Sequence, residues 1–67
     1  MIEIGSFWYD KGMDYYYVCT GKDDEDYIMG QIGEDLYEYW SEDDFDHDLG
    51  ISETTKSEII KWKLKND

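Results

Sequence analysis

Aspartates at alternate positions are the first residues whose type and spacing suggest chemistry. Asp44, Asp46 and Asp48 match the opening of an EF-hand calcium loop, where alternating oxygen ligands begin the site. Such a loop also needs glycine at its sixth position and glutamate at its twelfth, and this chain has Leu49 and Thr55 there. We therefore expect a solvated acidic turn without a bound metal ion, with a weak divalent-cation site as the alternative.

The only histidine and the only cysteine lack the partners that catalysis requires. A single His47 cannot build a histidine-based metal cluster within one chain, and we expect it at the surface. Cys19 is a nucleophile only if a base activates it, and His47 would have to be that base. Cys19 alternates with Tyr15 and Tyr17 along a strand-like segment, which favours a structural role. The sequence therefore predicts a protein that is not an enzyme and binds no cofactor.

Charge and aromatic content are the strongest compositional features of the 67-residue chain. Six lysines, no arginine and eighteen acidic residues give a net charge of -12, a self-repulsion that opposes a compact state. Seven Tyr, three Trp and two Phe supply the apolar surface that disordered acidic chains lack. We expect one folded domain over residues 1–67. A lone cysteine fits a reducing cytoplasm, and from the composition of the N-terminal residues and the apolar runs we expect neither a signal peptide nor a membrane span.

Short segments with the alternation of β-strands fill the first forty residues. Each is rich in Tyr, Val or Ile and is separated from the next by a glycine-containing or acidic turn. The alternation places Trp40 and Leu36 on one face of their strand and Tyr37 and Tyr39 on the other. The predicted strands are Ile2–Tyr9, Met13–Thr20, Tyr27–Ile32 and Leu36–Trp40.

The pattern changes at Ser41 to that of a short helix. Ser41 followed by Asp44 has the form of a capping box, with Asp in place of the usual Glu or Gln. We expect one or two α or 3₁₀ turns over 41–49, with Phe45 and Leu49 closing one end of the core and Gly50 ending the helix. After a linker at 51–56, an alternation of apolar residues and lysines predicts a fifth strand over Ser57–Lys65, with a helix as the alternative.

This order of elements resembles that of SH3-like small barrels, in which a 3₁₀ turn precedes the final strand. The resemblance implies a mainly β fold, a small antiparallel five-stranded barrel or meander with a short helical turn near 41–49. The motifs with which eukaryotic SH3 domains bind proline-rich ligands are absent, so no such role is carried over. Short acidic chains of this kind also resemble phage-encoded inhibitors that mimic DNA.

Clustered carboxylates are the remaining functional signal. Residues 1–55 contain two lysines against sixteen acids, a net charge of -14, whereas residues 56–67 contain four lysines against two acids. Without arginine and with this charge, direct binding to nucleic acid or to an anionic membrane is disfavoured. We instead expect a basic nucleic-acid-binding protein of the host as the partner, bound through the acidic clusters and two tyrosines. These residues are Asp23, Asp24, Glu25, Asp26, Glu34, Asp35, Glu38, Glu42, Asp43, Asp44, Asp46, Asp48, Tyr15 and Tyr37.

The sequence therefore favours a non-enzymatic inhibitor that mimics DNA, such as a phage anti-CRISPR or anti-restriction protein. The alternative is a small protein–protein interaction module that binds through a Tyr-rich surface. An edge strand with exposed tyrosine also leaves open the pairing of two copies into a homodimer.

Overall fold

Five antiparallel strands form one sheet in the order β4-β3-β2-β1-β5 in a computed structural model that describes residues 2–66. Neighbouring strands in the sequence pair as hairpins, and the fifth strand returns beside the first. The mainly β fold with five antiparallel strands, predicted from the sequence, is confirmed. The elements are β1 (Phe7–Asp10), β2 (Tyr15–Asp23), β3 (Asp26–Gln31), β4 (Tyr37–Trp40), 3₁₀ turns over Glu42–Asp44 and His47–Leu49, β5 (Ile51–Thr54) and the helix α1 (Lys56–Asn66).

The main hydrophobic core covers one face of the sheet, called here the core side. The strand register places Cys19 opposite Met29 and Tyr27 opposite Trp40, so that alternate residues of neighbouring strands bury the same face. A bulge between Cys19 and Gly21 shifts the register of β2 near its end. The buried core residues on this side are Tyr17, Cys19, Tyr27, Met29, Trp40 and Ile51.

Phe45 attaches the loop over residues 41–50 to this core. Its ring centroid lies 4.9 Å from that of Trp8, 5.4 Å from Tyr27 and 5.2 Å from Trp40. These separations fall in the range of favourable edge-to-face and tilted aromatic pairs. The loop therefore crosses the core side of the sheet and is fixed there by one side chain.

Leu49 does not close the core, contrary to the sequence-based expectation, since 63% of it is exposed. The helical turn predicted near 41–49 is present, but as two separate 3₁₀ turns with Phe45 between them. Without a continuous helix, residues four apart do not share one face. Gly50 ends the second turn in the left-handed region at φ 85°, as predicted.

The prediction of a strand over Ser57–Lys65 was wrong, because this segment is the helix α1. The helix begins after Thr55, whose hydroxyl accepts the Glu58 N–H at 3.3 Å and whose carbonyl accepts the Ile59 N–H at 3.2 Å. Ile59 is buried, and the Trp62 ring packs 5.1 Å from that of Tyr16. Ile59 and Trp62, three residues apart on one face of α1, therefore favour the helix over the strand that the alternation of apolar residues and lysines predicted.

The fifth strand is instead Ile51–Thr54, within the segment expected to be a linker. It pairs with β1 along its whole length, and Ile51 is buried. Two strands also begin later than predicted, at Phe7 instead of Ile2 and at Tyr37 instead of Leu36. Ile4 is exposed because a turn with Gly5 at φ 93° precedes β1, and Leu36 is exposed because β4 begins only at Tyr37.

Adjacent isoleucines of α1 provide a test of the helix. Ile59 is 6% exposed and Ile60 is 48% exposed. We expect Ile59→Ala to lower the free energy of unfolding by about 2–4 kcal/mol, because it leaves a cavity, and Ile60→Ala to lower it by less than about 1 kcal/mol. Urea denaturation measures both, and the reverse order would support the alternating strand.

The loop anchor is tested by a matched pair in the same segment. Phe45→Ala removes the ring that packs on three core aromatics, and we expect a loss of about 2–3 kcal/mol in the free energy of unfolding. Leu49→Ala removes an exposed side chain, and we expect a change within about 0.5 kcal/mol. Equal losses in thermal or urea denaturation would contradict the anchoring role of Phe45.

Candidate partner-binding surface

One predicted acidic cluster occupies the tip of the β2–β3 hairpin. Asp23 pairs with Asp26 at the end of the ladder, and Asp24 and Glu25 form the turn. Asp24 adopts φ 55°, a conformation that Asp tolerates better than most residues. A short turn with this backbone geometry therefore presents Asp24 and Glu25 to solvent.

The second cluster lies in the loop of 3₁₀ turns, and some of its carboxylates hold that loop in place. The Asp44 carboxylate accepts the Ser41 N–H at 2.9 Å and the Ser41 hydroxyl at 3.3 Å, so the predicted box forms with Asp44. The Asp46 carboxylate accepts the Asp48 N–H at 2.9 Å and caps the second turn. Asp44 and Asp46 are thus part of the scaffold as well as of the acidic surface.

The hairpin tip and this loop lie side by side. Pairing of Tyr27 with Trp40 brings the end of β4 next to the start of β3, and a shallow cavity of about 330 Å³ between them is lined by Glu25 and Asp43 with Lys22. The loop then crosses the core side to Gly50, whose carbonyl accepts the Lys11 N–H at 2.8 Å. We call the hairpin tip and this loop together the acidic ridge; it comprises Asp24, Glu25, Glu42, Asp43, Asp44, Asp46 and Asp48.

Two of the predicted acids lie apart from the ridge, in the β3–β4 turn. Glu34 and Asp35 follow the last residue of β3, at the end of the sheet away from the tip of the β2–β3 hairpin. The sequence could not show this separation, because it depends on which ends of the strands meet. The acidic clusters therefore occupy two surfaces.

Glu38 lies on the core side of β4 and serves the fold. Its carboxylate accepts the Trp40 indole N–H at 3.0 Å and the Tyr17 hydroxyl at 3.3 Å. Burial, together with this carboxylate, raises the pKa of Tyr17 to about 12. Glu38 therefore positions two core aromatics, a role that the sequence did not reveal.

The predicted tyrosines lie on opposite faces of the sheet. Tyr37 is 63% exposed on the face away from the core, while Tyr15, the first residue of β2, lies on the core side with its ring 6.5 Å from that of buried Tyr17. Tyr39, which was not among the predicted site residues, is 62% exposed beside Tyr37. The alternation of β4 already placed both rings on one face, so the signal for Tyr39 was in the sequence.

Positive charge is concentrated on the other face of the sheet, called here the helix side. Trp62 packs on Tyr16, and Tyr16 alternates with the core residue Tyr17, so α1 covers the face opposite the core side. This helix carries four lysines and one acid, and the Lys61–Glu58 ion pair is an exposed contact of 3.9 Å. The domain is therefore electrically two-sided.

Cys19 lies in the core, and His47 lies at the surface. Cys19 is fully buried, its thiol donates to the Gly21 carbonyl at 3.6 Å, and burial raises its pKa, which disfavours the reactive thiolate. His47 is exposed in the second 3₁₀ turn.

Within residues 2–66, no group of three or more His, Cys, Asp or Glu side chains is arranged to hold a metal ion. Over the same residues, no helix has the length and apolar character needed to cross a membrane.

Comparison of the chain with protein families, with curated proteins and with solved structures finds no match.

The Tyr17–Glu38 contact predicts a loss of stability at alkaline pH. The folded pKa of Tyr17, about 12, lies above the ordinary value of 10.0, so the folded state holds this proton more tightly than the unfolded state does. The resulting stabilisation is complete below pH 10 and is lost as the pH rises toward 12. Urea denaturation across this range should show a steeper decline for the native chain than for Tyr17→Phe. Identical pH dependence in the two proteins would contradict the assignment.

Proposed function

We propose that this protein is a non-enzymatic inhibitor that mimics DNA and occupies the nucleic-acid-binding surface of a basic protein. The observation that carries the proposal is the acidic ridge, whose loop crosses the core side of the sheet, whereas the lysine-bearing helix covers the other face. A charge excess needed only for solubility has no reason to be placed on one side. The separation of the two signs instead gives the domain one face that a basic surface attracts.

The ridge supplies the two properties that a substitute for the phosphate backbone needs. Duplex DNA carries one negative charge per about 1.7 Å of its axis, and the loop of 3₁₀ turns has carboxylates at five of the seven positions 42–48. The Phe45 anchor and the Asp44 and Asp46 caps hold these groups on a rigid support. A preorganised ridge loses little conformational entropy when it binds, and its field accelerates association with a cationic partner.

The proposed setting is the cytoplasm of a bacterial host, with a phage or another mobile element as the source. A CRISPR effector, a restriction or repair enzyme, or a transcription factor has the basic surface that the ridge fits. The single reduced cysteine agrees with a reducing compartment. Inhibition then requires only that the protein and DNA exclude one another from one site.

The second candidate is an interaction module that binds through tyrosines. It is favoured by Tyr37 and Tyr39, whose exposed rings lie side by side on β4. Tyrosine is enriched at protein interfaces because its ring contributes area and its hydroxyl a hydrogen bond. Replacement of these two rings by Ala would abolish binding by such a module and would leave binding by the acidic ridge largely intact.

Affinity capture tests the leading proposal. The immobilised chain is exposed to a bacterial lysate at about 50 mM and about 200 mM salt, and bound proteins are eluted with duplex DNA and identified by mass spectrometry. We expect the captured proteins to be ones that bind nucleic acid, that the duplex displaces from the chain, and that bind the chain less at the higher salt. Captured proteins that neither bind nucleic acid nor respond to salt would count against DNA mimicry.

A pair of charge variants tests the ridge itself. Glu25→Gln with Asp43→Asn removes two negative charges from the ridge, and Asp14→Asn with Glu58→Gln removes two from the helix side. Because local carboxylates replace phosphates, we expect the first pair to weaken binding to the captured protein by about tenfold or more and the second by less than about threefold. Equal losses, measured by calorimetry with each purified variant, would mean that only net charge matters.

A further inference from the structure

The outer edge of β4 is an open hydrogen-bonding edge. β4 is the last strand of the sheet, and the Gln31 N–H donates to the Leu36 carbonyl at 3.0 Å, which fixes the phase of the β3–β4 ladder. Hydrogen-bonded pairs alternate in an antiparallel ladder, so Glu38 and Trp40 face β3 while the backbone groups of Tyr37 and Tyr39 point outward. In the described residues, Tyr37 and Tyr39 take no part in any backbone hydrogen bond outside the sheet.

The side chains at this edge favour one kind of ligand. Tyr37 and Tyr39 leave more than 60% of their surface exposed on the helix side. Acidic residues lie at both ends of the strand, Asp35 before it and Asp43 after it, and neither carboxylate has a hydrogen bond or ion pair among residues 2–66. β4 itself, Tyr37–Trp40, spans roughly 13 Å, so a segment of about four paired residues with basic residues at both ends extends toward these carboxylates.

We propose that β4 binds an extended peptide segment rich in Lys and Arg by strand addition. The main chain of the segment pairs with Tyr37 and Tyr39, and this edge pairing provides the affinity. Its basic side chains lie over the two tyrosine rings and reach the carboxylates at the ends of the strand, which provide the selectivity. A second copy of this chain does not fit, because each copy carries a net charge of -12 and symmetric pairing would bring acids together.

This inference rests on the proposed function for the charge of the partner, and it adds a second contact beside the acidic ridge. The ridge faces the folded basic surface of the partner, while β4 takes an extended basic tail or loop of the same protein. The two contacts share the Asp43 carboxylate, but only the β4 contact uses the outward backbone groups of Tyr37 and Tyr39, so probes of those backbone groups test it separately.

The test uses a synthetic peptide, Arg-Lys-Thr-Val-Thr-Lys-Arg, acetylated and amidated at its ends, and the intact chain. Tyr39→Pro removes the outward N–H and the ring, while Tyr39→Ala removes the ring alone. Proline is tolerated at an edge position whose N–H faces solvent. We expect Tyr39→Pro to weaken binding, measured by calorimetry, by at least about tenfold and Tyr39→Ala by about threefold. Equal losses would overturn strand addition.

A second measurement does not depend on the folding of any variant. N-methylation of alternate peptide residues blocks the N–H groups on one edge of the added strand only. We expect one methylation pattern to abolish binding to the native chain and the other pattern to preserve it, and a peptide with Glu in place of Lys and Arg not to bind. Indifference to the pattern of methylation, or equal binding of the Glu peptide, would overturn the proposal. Binding of the captured protein through the ridge would be unaffected by either result.

Discussion

The packing of Phe45 onto Trp8, Tyr27 and Trp40 is the contact on which the rest of the structure depends. It brings the most acidic loop of the chain onto the core side of a small sheet. Carboxylates this dense repel one another, and burial of aromatic surface is the main term available to oppose that repulsion. Without Phe45, the loop would be joined to the sheet mainly through its ends.

The elements that cover the two faces of the sheet carry opposite net charge. The core side is closed by an acidic loop, and the helix side is closed by α1 with its lysines. Each covering element contributes one or two apolar side chains inward and its charges outward. This arrangement lets a 67-residue chain cover two apolar surfaces and still keep opposite charges apart. The two-sidedness follows from which element covers which face.

Much of the fold could be read from the sequence, because the alternation of Tyr, Val and Ile with polar residues marks the strands and glycine or acidic turns separate them. The 3₁₀ region was also visible through Ser41, Asp44 and Gly50. The last segment could not be assigned in this way, since its residues satisfy both periods. Tertiary contacts decide that this segment is a helix: β5 pairs with β1, and Trp62 packs on Tyr16.

The residues of the acidic site could be predicted from the sequence, but their placement relative to one another could be predicted only in part. Neighbouring residues such as Asp24 and Glu25 had to share a turn, but their approach to Asp43 depends on the strand register. Glu38 was assigned to the partner surface as a member of an acidic cluster, although the alternation of β4 places it on the same face as Trp40. Its hydrogen bonds to Tyr17 and Trp40 show that a carboxylate on the strand face can instead support the core.

The most direct measurement of the central claim is a competition experiment with the protein that the chain captures. Binding of that protein to labelled duplex DNA is measured at increasing concentrations of the chain. Mutual exclusion predicts that the apparent Kd for DNA rises in proportion to the concentration of the chain while the DNA bound at saturation stays constant. A ternary complex of chain, target and DNA, or a lower plateau at unchanged Kd, would contradict DNA mimicry.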